Sequence, residues 1–226
     1  EQGTELKMEA IRMLESLDDS IGAEAIYRSM KVHSENEDIV IDEIEDNALG
    51  QHQRQLIPLL RQQSLGANGI ALCLADFVNP KGDAIGLFAT TCALKARKDA
   101  DPYESLMMQT LATRLAEAAA EKVDEETLMS IESDKGIRPA VGYPSLPDLS
   151  VNFMLDELID MKSIGITLTE NGAMNPPSSV SGLIIRYPAA HYFSIGRISE
   201  EQFEDYTRRR GLPPERMRQF LHAVLD

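Results

Sequence analysis

The sequence predicts an α+β fold, a twisted antiparallel sheet with flanking helices. Amphipathic stretches of helical period alternate with short apolar, β-branched runs. The turns joining successive strands are short, which favours antiparallel pairing. No glycine-rich strand-to-helix turn announces a parallel nucleotide-binding sheet, because Gly66 and Gly69 precede a strand instead. At 226 residues and 43% hydrophobic, the chain can bury a sizeable core as one domain.

Leu6, Ala10, Met13, Leu14 and Leu17 recur at helical spacing, and 51–63 reads as a second amphipathic helix before the Gly66, Asn68, Gly69 breaker. A short strand is expected at 39–44. Residues 1–65 are thus read as an N-terminal helical region and 66–226 as the core, within one continuous domain. Strands at 70–78 and 84–91 flank the N-P-K-G-D turn as a hairpin. Asp101 as N-cap and Pro102 in the first turn open the longest helix, running to about Val123. Its core stripe is expected to be Tyr103, Leu106, Met107, Thr110, Leu111, Leu115 and Ala118, with Arg114, Glu117 and Glu121 along another edge. Helices follow at 125–131 and 151–163, the latter closed by Gly165. A second hairpin is expected from 179–187 and 191–198, and Ser199 with Gln202 caps a helix ending at Gly211.

The formal charge of -15 opposes nucleic-acid binding, which draws on lysine and arginine to displace counterions. The local cluster Arg208, Arg209, Arg210, Arg216 and Arg218 reads as a solvated helix end, with an acidic partner as the other reading. A turn centred on Lys81 pairs Cys73 with Ala89 rather than Cys92, so no disulfide is expected. With four scattered histidines and no Cys-x-x-Cys, zinc and iron–sulfur spacings are missing from the sequence. No apolar run approaches the roughly 20 residues of a membrane span, and no signal-peptide pattern opens the chain. A cytoplasmic location is the expectation, as is a chain trimmed at its start, since it opens on glutamate.

The loop at 136–144, G-I-R-P-A-V-G-Y-P, followed by Pro147 and Asp148, concentrates unusual backbone chemistry. Pro139 and Pro144 fix φ, and Gly136 and Gly142 permit close approach. Arg138 offers a planar fork for a carboxylate, and Tyr143 a flat apolar face with a polar tip. Taken alone, the loop reads either as a ligand cradle or as a rigid surface turn.

Five segments in one order raise the first reading: L-A-D-F-V from Leu74, R-L-A-E from Arg114, the R-P-A-x-G-Y-P loop, L-T-E-x-x-A-M-x-P from Leu168 continuing into S-V-S-G, and E-D-Y-x-R-R-x-G from Glu204. Across roughly 69–211 the chain thereby resembles the activation domain of cobalamin-dependent methionine synthase; residues 1–65 carry less of the likeness. The resemblance implies S-adenosylmethionine as ligand. It places Arg138 on the ligand carboxylate, Glu117 and Glu132 near its positive groups, and the backbone of Pro139, Ala140 and Gly142 beside the adenosyl moiety. Tyr192 and Phe193, in H-Y-F-S, fall on the family's tyrosine pair, although Phe193 lacks the hydroxyl.

The resemblance further implies reductive reactivation of cobalamin carried by a partner domain or protein, with flavodoxin or a similar reductant as electron donor. Tyr143, Ala173, Met174 and Ser181 would face the corrin. Three departures touch that rim: Leu149 follows Asp148 where the family often has histidine, Asn175 stands where an aromatic is common, and Pro177 where glycine is. A non-catalytic S-adenosylmethionine-binding or docking module, or a reactivator of a different corrinoid methyltransferase, is the alternative.

Overall fold

Along the chain, the computed structural model forms α1 (Gln2–Glu15), β1 (Glu24–Glu35), β2 (Asp38–Ile41), β3 (Gln55–Pro58), a 3-10 turn (Leu74–Phe77), β4 (Asp83–Thr91) and α2 (Pro102–Leu128). It continues with α3 (Val151–Ile159), a second 3-10 turn (Met161–Ile164), β5 (Thr167–Leu168), β6 (Met174–Asn175), β7 (Ser179–Ile185), α4 (Glu200–Arg210) and α5 (Pro214–Leu221). The structure describes residues 2–15, 22–42, 55–66, 69–94, 101–128 and 135–225. Strands β3-β2-β1-β4-β7 lie in that order in one sheet, every neighbouring pair antiparallel, with helices on its flanks. This is the α+β architecture the sequence predicts.

β4 organises the core because it is covered on both faces. Its alternating side chains divide between two apolar clusters. Ile85, Leu87 and Ala89 join Leu155, Met161 and Ile166 on one face. Phe88 joins Ala112, Ala116 and Ala120 of α2 on the other. The alanines lie four residues apart, so α2 presents a seam of small side chains and approaches the sheet closely. Thr90 Oγ1 donates to the Ala116 carbonyl at 2.9 Å across that seam.

That seam corrects the expected stripe. Met107 and Leu111 are buried as expected, but Tyr103, Leu106, Thr110 and Ala118 are exposed, and Met108, Ala112, Ala116 and Ala120 take their place. Following the large apolar residues selects the wrong strip when the contact is built from small ones. α2 also runs unbroken past Val123 to Leu128, so 125–128 extends the long helix, while 129–131 lie outside the described residues.

Several strands differ from expectation. Residues 55–58 are not helical but form an edge strand registered on β2, with Ile57 opposite Ile39. Tertiary pairing overrides the helical spacing there, and Pro58 sits at an edge where no donor is needed. Residues 70–78 hold only an isolated bridge from Cys73 to Arg61 and then the 3-10 turn, so the expected hairpin with β4 is lost. The partner of β4 is β1, a 12-residue strand that sequence reading did not anticipate. Cys73 and Cys92 are buried and free, in clusters on opposite faces of the sheet. Burial pushes the Cys73 thiol up to about 12.

The arginine cluster is a solvated helix end only in part: Arg208, Arg216 and Arg218 are exposed, whereas Arg209 and Arg210 are drawn into the fold. Arg209 pairs with Asp38 at 2.5 Å and Asp205 at 2.8 Å, fastening α4 to β2. Arg210 is nearly buried 3.4 Å from Asp148, Arg218 pairs with Glu200, and Arg216 donates to the Glu170 carbonyl. Of the Ser199–Gln202 capping box, the structure has one half: Ser199 Oγ accepts from the Gln202 N–H, and α4 ends at Gly211 as expected.

Candidate functional site

The loop expected to cradle a ligand is held as an extra strand on the free edge of β7. Ile137 exchanges both backbone hydrogen bonds with Ile185, the Leu183 N–H donates to the Pro139 carbonyl at 3.0 Å, and the Val141 N–H donates to the Ser181 carbonyl at 2.9 Å. Pro139 faces the ladder through its carbonyl and so through its nitrogen as well, and having no N–H it leaves out the bond that would return to the Leu183 carbonyl. By the same alternation the C=O of Arg138 and the N–H of Ala140 point away from β7. Gly182 makes this seat possible: a Cβ there would stand 2.2 Å from the Pro139 oxygen. Gly142, at φ 86°, turns the chain so that Tyr143 and Leu146 close a tight loop.

Only one segment can occupy that edge, which explains why 191–198 is not the hairpin partner expected for β7. It runs instead as extended chain across the loop. The Ile195 N–H donates to the Pro144 carbonyl at 2.8 Å, Gln62 Nε2 donates to the Ser194 carbonyl at 2.7 Å, and the Arg138 N–H donates to Tyr192 Oη at 2.9 Å.

Between the loop, this segment and α2 lies a cleft of about 470 Å³ lined by Glu117, Arg138, Pro139, Ala140, Tyr143, Tyr192 and Phe193, all singled out from the sequence, and by Pro144, Ser145 and Ser194. Pro144 is a loop proline that the sequence also marks; Ser145 and Ser194 carry no chemical signal of their own, and adjacency to the loop and to Phe193 is what could have found them. Glu132 lies outside the described residues. Gly142 shapes the loop without lining the cleft. Ala173 is exposed and Met174 half-buried on β6, both outside the cleft lining. Ser181 does not present itself to a surface at all: it is buried, and its hydroxyl donates to Asn152 Oδ1 at 2.5 Å.

Cation, carboxylate and phenol share this cleft. Tyr143 Oη donates to Glu117 Oε1 at 2.9 Å, and that bond to a carboxylate, reinforced by desolvation, raises the Tyr143 pKa. Arg138 lays its guanidinium over the Phe88 ring, 5.3 Å from the centroid. Phe193 packs edge-on against Phe77 of the L-A-D-F turn. The cleft thus offers a cationic fork, an acidic group, aromatic walls and backbone polar groups turned away from the β7 ladder, a set suited to a zwitterionic ligand with an apolar, hydrogen-bonding end. Among the described residues no group of three His, Cys, Asp or Glu side chains could hold a metal ion, and no helix is long and apolar enough to cross a membrane.

The far end of the loop is anchored in the core. Buried Asp148 accepts from the Ser150 N–H, Ser150 Oγ and Tyr206 Oη, each at 2.8 Å, with Arg210 alongside. Burial, with the Asp148 charge beside it, raises the Tyr206 pKa well above its ordinary value. The E-D-Y-x-R-R-x-G tail thereby clamps the loop rather than touching the cleft.

Residues 1–211 match the family model described as "Vitamin B12 dependent methionine synthase, activation domain". Among solved structures, the crystal structure of a MetH reactivation domain bound to AdoHcy is similar, with a TM-score of 0.83 and 32% identity over 99% of this chain and 77% of that one.

Proposed function

Because the chain belongs to the activation-domain family of vitamin B12-dependent methionine synthase, we propose that it binds S-adenosylmethionine in the loop cleft and supports reductive methylation of cob(II)alamin carried by a partner cobalamin domain. Flavodoxin or a similar reductant would supply the electron. The observation that carries this reading is the cleft, which gathers the Arg138 fork, Glu117 and the outward backbone of Arg138 and Ala140 in one place. The AdoHcy bound to the similar MetH domain supports the same ligand class.

The residues fit the ligand's chemistry. Arg138 would take the carboxylate in a bidentate, charge-assisted pair, and Glu117 would favour the ammonium. The Arg138 carbonyl and Ala140 N–H form an acceptor and donor pair of the kind an adenine edge requires. Tyr192 holds the Arg138 N–H and so fixes the backbone from which that fork extends. Phe193 contributes an apolar wall without a hydroxyl. S-adenosylmethionine, when bound, supplies a methyl group activated by its sulfonium centre. The chain's own task is to orient the ligand and exclude water, not to move protons. Tyr143, 53% exposed at the mouth of the cleft, together with the Ala173–Met174 rim, would meet the corrin. A cytoplasmic setting suits these partners.

An anaerobic assay of cob(II)alamin methylation, with the partner cobalamin protein, reductant and S-adenosylmethionine, tests the proposal. Methylation that depends on adding this chain is expected. Saturable ligand binding with no chain-dependent methylation would reduce it to a binding module.

A further inference from the structure

The geometry points to Phe88 as a positioning residue for Arg138: its ring face holds the guanidinium while leaving the N–H fork open to a ligand carboxylate. This rests on the ligand reading above.

The sheet register brings the two residues together. Phe88 lies opposite Gly182 in the β4–β7 ladder, and Gly182 bridges to Ala140 of the loop, so the three occupy one row across the sheet. Phe88 points to the α2 face, and at the next position in the row there is no side chain to stop it. A Cβ on Gly182 would stand 3.0 Å from Phe88 Cε1. The ring therefore extends beside the glycine toward the loop, where Arg138 Cζ stands 5.3 Å from its centroid. Phe88 has no solvent exposure, so its attraction for the cation acts where water does not compete.

An arginine poised for an anionic ligand has to be held without being neutralised. A carboxylate neighbour would occupy the fork that the ligand needs and would have to be displaced. An aromatic face attracts the cation through its quadrupole and takes none of its N–H donors. Among the described residues the Arg138 guanidinium makes no ion pair, and it lies over the Phe88 ring. Leucine keeps an apolar side chain in most of the buried volume at Phe88, but it has no such face.

Phe88→Leu tests this, assayed against S-adenosylmethionine and against decarboxylated S-adenosylmethionine, which lacks only the carboxylate. The expected result is about fivefold weaker binding of S-adenosylmethionine, with the decarboxylated ligand unchanged within about twofold. In an Arg138→Gln background the Phe88→Leu loss should vanish. Equal weakening of both ligands would assign Phe88 to core packing alone and overturn the inference, as would unchanged affinity for S-adenosylmethionine. If Phe88→Leu does not fold, Phe88→Met provides the same comparison. A wild-type chain that cannot distinguish the two ligands would instead remove the carboxylate role of Arg138, and this inference with it.

Discussion

Tyr143 Oη donates a 2.9 Å hydrogen bond to Glu117 Oε1, tying the loop tip to the long helix across the mouth of the cleft. The same carboxylate is the acidic group proposed to meet the ligand ammonium, so one oxygen pair serves both the closed loop and the bound ligand. A carboxylate can accept from both at once, and ligand entry therefore need not break the tie.

This contact predicts how Tyr143 titrates. Its folded-state pKa is raised, chiefly by the Glu117 hydrogen bond, so its stabilising contribution is present below the unfolded value of about 10 and fades as pH rises through the folded one. Ultraviolet difference titration of wild type against Tyr143→Phe isolates this phenol. Glu117→Gln should move its titration downward; an unmoved midpoint would show that the contact does not persist in solution.

Ring and hydroxyl of Tyr143 can be separated by substitution. If the exposed ring packs on the corrin, Tyr143→Ala slows methylation of partner-bound cob(II)alamin, while S-adenosylmethionine affinity stays within about threefold, less than 1 kcal/mol. Tyr143→Phe keeps the ring and should retain most of the rate. Parallel loss of affinity and rate in Tyr143→Ala, at an unchanged melting temperature, would place the ring in ligand binding instead.

Tyr206 offers a test remote from the cleft. Tyr206→Phe removes one donor from the buried Asp148 carboxylate, and a hydrogen bond to such a charge contributes about 1.5 to 3 kcal/mol. The variant should melt at lower temperature than wild type. An unchanged melting temperature would mean that Ser150 and Arg210 hold Asp148 without it.

Local chemistry made the loop legible, since prolines and glycines fix backbone conformation whatever surrounds them. The α4 cap and the Gly211 stop were readable for the same reason. Strand identity was not local. In β1 only Met30 and Val32 are buried, so alternation is confined to a short stretch of a 12-residue strand. Leu56 of β3 stands at helical spacing from Leu59 and Leu60 just beyond the strand, yet pairing with β2 decides the conformation. At the cleft, motif residues could be named from the sequence, whereas Phe88 could not. Its role depends on Gly182, 94 positions away, lying opposite it across two strands. The corrin-facing expectation for Ser181 fails on the same ground, because the pleat turns that side chain inward to Asn152.

The most direct test of the central claim is calorimetric titration of S-adenosylmethionine into the wild-type chain and into Arg138→Lys, with both folds checked by circular dichroism. The account predicts saturable one-to-one binding to wild type. It predicts roughly ten- to a hundredfold weaker binding to Arg138→Lys, because lysine keeps the charge but loses the bidentate fork, a difference of about 1.5 to 3 kcal/mol. Absence of saturable binding to wild type, or equal affinity in a folded Arg138→Lys, would contradict it.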